Sequence, residues 1–338
     1  MAKEHLLLVD LSHLIYRSIS IPTLSKMHNK AKIPTGGIYG VLQSISKCLE
    51  NDPTISRVYL LRDGYPKWRK DFFPDYKANR EANPASPYYQ SYIAPNSFGW
   101  SKKDTLTYTN NKLDEISKQL ALHVVFEQYS EADDLAYLIS KELYSNDIKL
   151  TFLTSDKDWL QLLKIFPETT VFDGMKNTVI TKNNFKSLFG YDIKWFHFFK
   201  AMLGDKSDNI PSVVSGLGEK GLLFIIDRCE KQGLDPEDKE FFNKLINLIQ
   251  EIPESECGRY KVIKQIDFSK INDYNRNIKL IDFRECQYFG GVLTETLHTE
   301  HQEDLSINYL EAVKSFKELE FSSLCKILMP GSPFYGLH

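Results

Sequence analysis

Short apolar runs alternate with amphipathic stretches over the first 180 residues of this 338-residue chain. His5-Leu6-Leu7-Leu8-Val9, Arg57 to Leu61, His123 to Phe126 and Lys149 to Leu153 suit buried strands and are too short for helices. Between them lie helical spacings: a helix beginning at Leu14 to Arg17, and a second capped by Thr35 with Ile38, Val41, Leu42, Ile45 and Leu49 inward. A third runs from Leu113 to Leu122, and a fourth follows Tyr129 with Ala132, Leu135, Ala136, Ile139 and Leu143 inward. Thr170 to Phe172 and Thr178 to Ile180 read as a small peripheral pair of strands around Asp173-Gly174. Strands alternating with helices predict an α/β fold with a mostly parallel sheet flanked by helices. From Trp195 onward the pattern is helical, over Phe241 to Ile252, Tyr260 to Phe283 and Tyr309 to Leu319. The expected organisation is an α/β domain over 1–190 and a mainly helical region over 191–338.

One stretch breaks the alternation. Residues 81–111 carry Pro84, Pro87 and Pro95 among many Asn, Ser, Thr and Tyr, which predicts a long mobile excursion.

Acids recur where strands end. Asp10 directly follows the first run and Asp63 follows the second, and a carboxylate there lands in the crevice where open parallel sheets hold ligands. Asp10 reads equally as a helix cap, a role for which Ser12 is also suited. Glu131-Ala132-Asp133-Asp134 opens the fourth helix, where acids also offset the helix dipole. Two further groups, Asp156-Lys157-Asp158 and Asp205-Lys206-Ser207-Asp208-Asn209, tip the balance toward a shared site. Like charges brought together raise one another's pKa unless cations join them.

Composition narrows the ion. The five cysteines are scattered with no C-x-x-C pair, and the eight histidines are dispersed, so neither a disulfide scaffold nor a zinc site is indicated. Oxygen-ligated magnesium or manganese fits instead. A chain of 42% hydrophobic and 26% charged residues buries a sizeable core. It has no apolar run of about 18 residues and no signal-peptide layout, which predicts a cytoplasmic protein without a membrane partner.

Net charge is −3, yet residues 57–80 hold Arg57, Arg62, Lys67, Arg69, Lys70, Lys77 and Arg80 against three aspartates. Interleaved with Tyr65, Trp68 and Tyr76, these cations suit a nucleic-acid end, as they would a solvated face. Gly216-Leu217-Gly218-Glu219-Lys220-Gly221 matches a dinucleotide fingerprint in letters only, because no strand precedes it. Its glycines and Lys220 offer a phosphate-binding turn, or a simple turn between packed helices.

Taken in order, Val9-Asp10, Pro34-Thr35-Gly36, Asp63, Tyr76-Lys77-Ala78-Asn79-Arg80, Glu131-Ala132-Asp133-Asp134, Ser155-Asp156-Lys157-Asp158, Gly204-Asp205-Lys206-Ser207-Asp208-Asn209-Ile210-Pro211 and Gly216-Leu217-Gly218-Glu219-Lys220 resemble the 5' nuclease family. That family comprises flap endonucleases and 5'-3' exonucleases, including the amino-terminal domain of bacterial DNA polymerase I and bacteriophage replication nucleases of the RNase H or 5' exonuclease type. The resemblance covers residues 5 to 228 and looks most like a phage version, acting in the host cytoplasm.

The resemblance implies a PIN-like core and a metal-dependent hydrolase that cuts phosphodiesters at 5' ends or flaps and removes RNA primers during replication. Two or more Mg2+ ions, with Mn2+ as substitute, would be held by Asp10, Asp63, Glu131 and Asp133 on one side and by Asp156, Asp158, Asp205 and Asp208 on the other, with Asp134 acting through water. Lys77 and Arg80 would hold the scissile phosphate, Tyr76 would stack on a terminal base, and Arg17 would face substrate. Gly216, Gly218 and Lys220 would lie in a helix-three-turn-helix near 205–230 that binds duplex phosphate and often K+. Residues 81–111 occupy the place of the arch or gateway. Implied partners are branched or 5'-ended DNA and RNA–DNA duplexes, and a single-strand-binding protein, clamp or polymerase, for a monomeric enzyme. Three departures stand out: Arg62 replaces a common aromatic, Gly221 replaces a common Thr, and prolines and asparagines fill the arch. The alternatives are a PIN-type single-strand ribonuclease and a non-catalytic junction-binding protein.

Overall fold

A computed structural model describes residues 4–80, 87–144, 147–286 and 306–337. Its centre is a six-stranded sheet of order β3-β2-β1-β4-β5-β6. The strands are β1 (Glu4–Asp10), β2 (Arg57–Arg62), β3 (Leu122–Phe126), β4 (Ile148–Leu153), β5 (Thr170–Asp173) and β6 (Thr178–Ile180). The first five are parallel and β6 returns antiparallel to β5. All six apolar runs are therefore strands, and the β5–β6 pair extends the main sheet at its edge.

The pleat divides β1 between two cores, since successive side chains point to opposite faces. Leu6 and Leu8 join the face that holds Tyr59, Leu61, Phe152 and Val171. Leu7 and Val9 join the other, with Val58, Leu60, Leu153 and Phe172. On that second face pack α1 (Leu11–Ser20), α2 (Gly36–Asn51) and, past α3 (Lys67–Phe72) and α4 (Pro87–Ile93), α5 (Lys102–Gln119). The last helix, Tyr309–Glu318, brings the far end of the chain back to this layer, burying Ala312 and Phe316. The first face carries α6 (Ala132–Leu143), α7 (Leu162–Ile165), α8 (Lys182–Phe189) and α9 (Phe196–Leu203). It continues through α10 (Glu219–Lys231), α11 (Phe241–Glu251), α12 (Glu254–Cys257) and α13 (Ile271–Ile281). No described helix is long and apolar enough to cross a membrane.

Two expectations change. Helix α5 begins at Lys102 rather than Leu113, because Ser101 Oγ accepts the Asp104 N–H at 3.0 Å while the Asp104 carboxylate accepts the Ser101 N–H at 3.3 Å. This capping box starts a helix in the stretch that its polar composition made look irregular. Residues 81–86 of the expected excursion lie outside the described residues, while Pro87–Ile93 is helical. The single helix expected over Tyr260 to Phe283 is instead a 3-10 turn, Gly258–Gln265, an extended Ile266, and α13 after Asp267 caps the next turn by accepting the Ser269 N–H at 2.9 Å.

The helical region is fastened to the sheet by fully buried Gln161. Its amide donates to the carbonyls of Asp158 and Ile281, each at 3.0 Å, and its oxygen accepts the Phe283 N–H at 2.8 Å. His197 meets the same oxygen through Nε2 at 3.1 Å and takes Lys164 Nζ on Nδ1 at 3.1 Å. Only a neutral imidazole fits between an amide oxygen and an ammonium group. Burial lowers the His197 pKa to about 4, with Lys164 adding to the effect and Asp282 opposing it. Because the unfolded chain binds the proton near pH 6.5 and the folded one only near 4, His197 withdraws stability as pH falls through that window. Replacing it by Gln removes the titration. The wild-type advantage over His197→Gln in urea unfolding is expected to shrink by about 2 kcal/mol between pH 7 and pH 4.5, and an advantage independent of pH would contradict this.

Candidate metal centre and nucleic-acid cleft

Parallel strands deliver their carboxyl ends to one edge, and the strand order reverses at β1, between β2 and β4. Asp10 ends β1 and caps α1. Its Oδ1 accepts the His13 N–H at 3.1 Å as cap of α1, and its Oδ2 accepts the Thr154 hydroxyl at 2.9 Å. Thr154 Oγ1 also accepts the Asp156 N–H at 2.9 Å, so the ends of β1 and β4 are joined through one hydroxyl. Asp63 accepts the Ala132 N–H at 2.8 Å, and its own N–H donates to Ser12 Oγ at 2.9 Å. The next residue must be glycine, since a Cβ at Gly64 would sit 2.1 Å from the Glu127 carbonyl oxygen. This close approach lays β2's end against the loop that starts α6.

Every predicted acid except Asp134 lines a single cleft of about 1010 Å³, joined there by Lys77 and Arg80. Asp133 Oδ1 accepts the buried Trp159 Nε1–H at 2.7 Å, and Asp156 Oδ1 accepts the Asp158 N–H at 2.9 Å. The central acids are short of cations. Burial, with Asp63 and Asp156 beside it, holds the Asp10 pKa well above the carboxylate range. Burial and the acids Asp156, Glu131 and Asp10 do the same to Asp133, and Asp156 is pushed up to about 7 by burial and Asp158. At two of the outer acids cations overcome burial, whereas burial keeps Asp63 and Asp158 raised. Lys77 and Arg69 lower Glu131, and Lys200 lowers Asp205, lying 2.5 Å from Asp158 and 3.1 Å from Asp205. Buried carboxylate oxygens with too little positive charge among them fit hard divalent cations such as magnesium or manganese.

The gateway motif closes one side of the cleft. Lys77 adopts a φ of +54°, and its N–H donates to the Asp208 carbonyl at 2.9 Å. Its ammonium bonds Glu131 Oε1 and lies 3.6 Å from Asp208 Oδ2. Arg80 binds Asp208 Oδ1 at 2.7 Å and the Ser207 carbonyl at 3.1 Å, and Asn79 donates to the Lys206 carbonyl at 3.2 Å. The motif and the loop after α9 thus form one connected edge.

Two predicted roles are corrected, those of Tyr76 and Asp134. Tyr76 is only 2% exposed, with its hydroxyl donating to Glu131 Oε2 at 3.0 Å and Asp208 Oδ2 at 2.9 Å, so its ring presents no stacking face to a base. Asp134 does not reach the cleft. Fully buried, its Oδ2 accepts the Glu131 N–H at 3.1 Å and the Arg69 guanidinium at 2.9 Å. Arg17 lies outside the cleft lining, half-buried with Nη1 3.4 Å from Ser155 Oγ. Gly216 and Gly218, in the loop before α10, and Lys220, in its first turn, are exposed, with Gly216 at φ +81° and Gly218 capping α10. Gly221 packs tightly, since a Cβ there would meet Leu217 Cδ1 at 2.9 Å. Arg62 pairs with Asp114 on α5, Arg57 with Glu4 at 2.9 Å and Lys67 with Asp71 at 2.6 Å, which neutralises much of the basic surplus of 57–80.

Sequence reasoning missed Arg69, Lys200, Trp159, Thr154 and His13. Arg69 is the most consequential, 1% exposed and bridging Glu131 and Asp134, both at 2.9 Å. In the sequence it is one cation among seven. Lys200 gave a weak signal, being the one charged position in the mostly apolar α9. Removing one partner of a buried ion cluster leaves uncompensated charge, so Arg69→Met is expected to lower unfolding free energy by about 3–5 kcal/mol at pH 7. Chemical denaturation measures this, and a loss below 1 kcal/mol would contradict the bridging role.

Comparison with known proteins agrees with this architecture. Residues 5–190 match the family model described as 5'-3' exonuclease, N-terminal resolvase-like domain. The chain is 28% identical over 264 residues to a 5'-3' exonuclease of Bacillus subtilis, covering 77% of this chain and 78% of that one. It is 28% identical over 299 residues to DNA polymerase I of Caldicellulosiruptor bescii, covering 86% of this chain and 32% of the polymerase. In fold it is similar to the T5 D15 protein co-crystallised with metal ions, with a TM-score of 0.59 at 18% identity, covering 94% of this chain and all of that one. With more than half of its length matched by the family model, the chain belongs to the 5'-3' exonuclease family of 5' nucleases.

Proposed function

We propose that this 5' nuclease is a divalent-metal-dependent enzyme that hydrolyses phosphodiesters at 5' ends or flaps of DNA and RNA–DNA duplexes, including RNA primers during replication. The observation that carries this is the convergence of acids from five separate chain segments on one cleft edged by Lys77 and Arg80. A binding module has no use for uncompensated acids facing phosphates, because they repel the ligand. Asp10, Asp63, Glu131, Asp133, Asp156, Asp158, Asp205 and Asp208 would hold the ions. When bound, divalent cations supply an activated water and stabilise the leaving oxygen.

The chain's own residues orient and neutralise. Thr154 and Trp159 fix the carboxylate planes of Asp10 and Asp133 by hydrogen bonds. Lys77 and Arg80, already at the cleft's edge, exchange their acidic partners for substrate phosphate and offset charge in the transition state. The loop 204–218 offers exposed Gly216 and Gly218, and the first turn of α10 offers Lys220, to the duplex backbone. The replication role is supported by the relation to DNA polymerase I.

The deciding experiment offers a 5'-flapped duplex, an RNA-primed duplex and a plain single strand, each with magnesium or chelator, and maps products from both labelled ends. Magnesium-dependent cuts at the flap junction or stepwise from the primer's 5' end are expected. Binding without cleavage would overturn the reading. Asp156→Asn is expected to slow single-turnover cleavage at least about a hundredfold while sparing duplex affinity measured with metal chelated. Lys77→Ala should slow cleavage by about a hundredfold without reducing metal binding, and an unchanged rate would remove Lys77 from the reaction.

A further inference from the structure

We propose that His13 is a nitrogen ligand to the ion held by Asp10 and Asp156, and that it shifts this centre's preference from magnesium toward manganese. The inference rests on the metal-dependent reading of the cleft. Among the described residues, Asp10, His13 and Asp156 form a group whose donor atoms all lie within 4.8 Å of one another. The arrangement follows from the fold. Asp10 caps α1 and accepts the His13 N–H at 3.1 Å, so the imidazole is anchored one turn from β1's terminal carboxylate. Thr154 joins that carboxylate to Asp156 across the sheet.

The imidazole is otherwise uncommitted. His13 Nε2 is shielded from solvent and has no hydrogen-bond partner among the described residues, while the side chain lines the cleft. Fully buried His5, by contrast, engages both ring nitrogens, with Thr54 at 2.8 Å and Thr151 at 2.9 Å. The nearby carboxylate that could have taken His13 is otherwise occupied. Asp173 Oδ1 accepts the Ser155 hydroxyl at 2.8 Å and the Met175 N–H at 2.9 Å. Imidazole suits the later first-row metals, whereas magnesium favours oxygen donors and retained water. Replacing one water of an all-oxygen site by a ring nitrogen therefore favours manganese over magnesium.

The test uses the full chain stripped of metal and titrated with Mn2+, read by pulsed electron paramagnetic resonance for coupling of the ion to ligand 14N. Wild type is expected to show directly coordinated nitrogen. His13→Gln, checked for folding by circular dichroism, should still bind Mn2+ but lose that signal, and its manganese-over-magnesium preference in competition titrations should fall about tenfold. Asp156→Asn separates the two readings, since it weakens Mn2+ binding if the cleft is a metal centre at all. Bound Mn2+ with no nitrogen coupling in wild type, or coupling that survives in His13→Gln, overturns the His13 assignment and leaves the metal centre standing. Failure of wild type to bind Mn2+ overturns both.

Discussion

Repulsion among carboxylates gathered at one end of a parallel sheet is the constraint that the rest of this molecule answers. The sheet imposes the gathering, because its strands all point their carboxyl ends the same way and its order reverses at β1. Without counter-charge the site would push its own walls apart. Around the perimeter the protein supplies that charge itself, with Arg69 under Glu131 and Asp134, Lys77 at Glu131, and Lys200 between Asp158 and Asp205. At the centre it does not, and Asp10, Asp133 and Asp156 are held toward their protonated forms by burial and by one another. Stability and function thus draw on the same acids in opposite senses. Part of the perimeter is neutralised by the chain, while the centre keeps an excess of carboxylate that fits divalent cations.

The helical region is part of that answer. Asp205 and Asp208 sit on a loop far along the chain, and their placement depends on buried contacts well behind the cleft. Asn277 of α13 donates to the carbonyls of Ala201 and Pro211 at 2.8 and 2.7 Å, gripping the loop after α9 from both ends. Gln161 holds the turn that carries Asp158 against the end of α13. Two amide side chains thereby register the helical layer against the sheet, with directional bonds where packing alone would allow sliding.

What could be read in advance followed from periodicity and from side-chain type. Six short apolar runs became six strands because a buried parallel strand needs little more than that. The acids were legible because charge at a strand's end has few structural uses. Arg69 and Lys200 were not, since nothing local separates a cation that folds under a helix from one that faces water, and that distinction arises only when distant segments meet. Tyr76 shows the same limit from the other side. An aromatic in a basic motif suggests stacking, yet its hydroxyl found two carboxylates and its ring was enclosed with them. Helix α5 was misjudged for a different reason, as a capping box of two residues outweighed the polar composition around it.

The edge formed by Lys77, Asn79 and Arg80 against the loop of Asp205 to Asp208 carries a mechanical implication. Four contacts from Lys77, Asn79 and Arg80 run to backbone carbonyls or to Asp208 itself, so these cations and one bank of acids are coupled. A phosphate that drew Lys77 and Arg80 off their acidic partners would at the same moment release Asp208. Substrate and metal would then arrive as a linked pair, each raising the other's affinity by the same factor. On the proposed reading these salt bridges would tie the arrival of substrate to that of metal, and the edge would work as a coincidence detector.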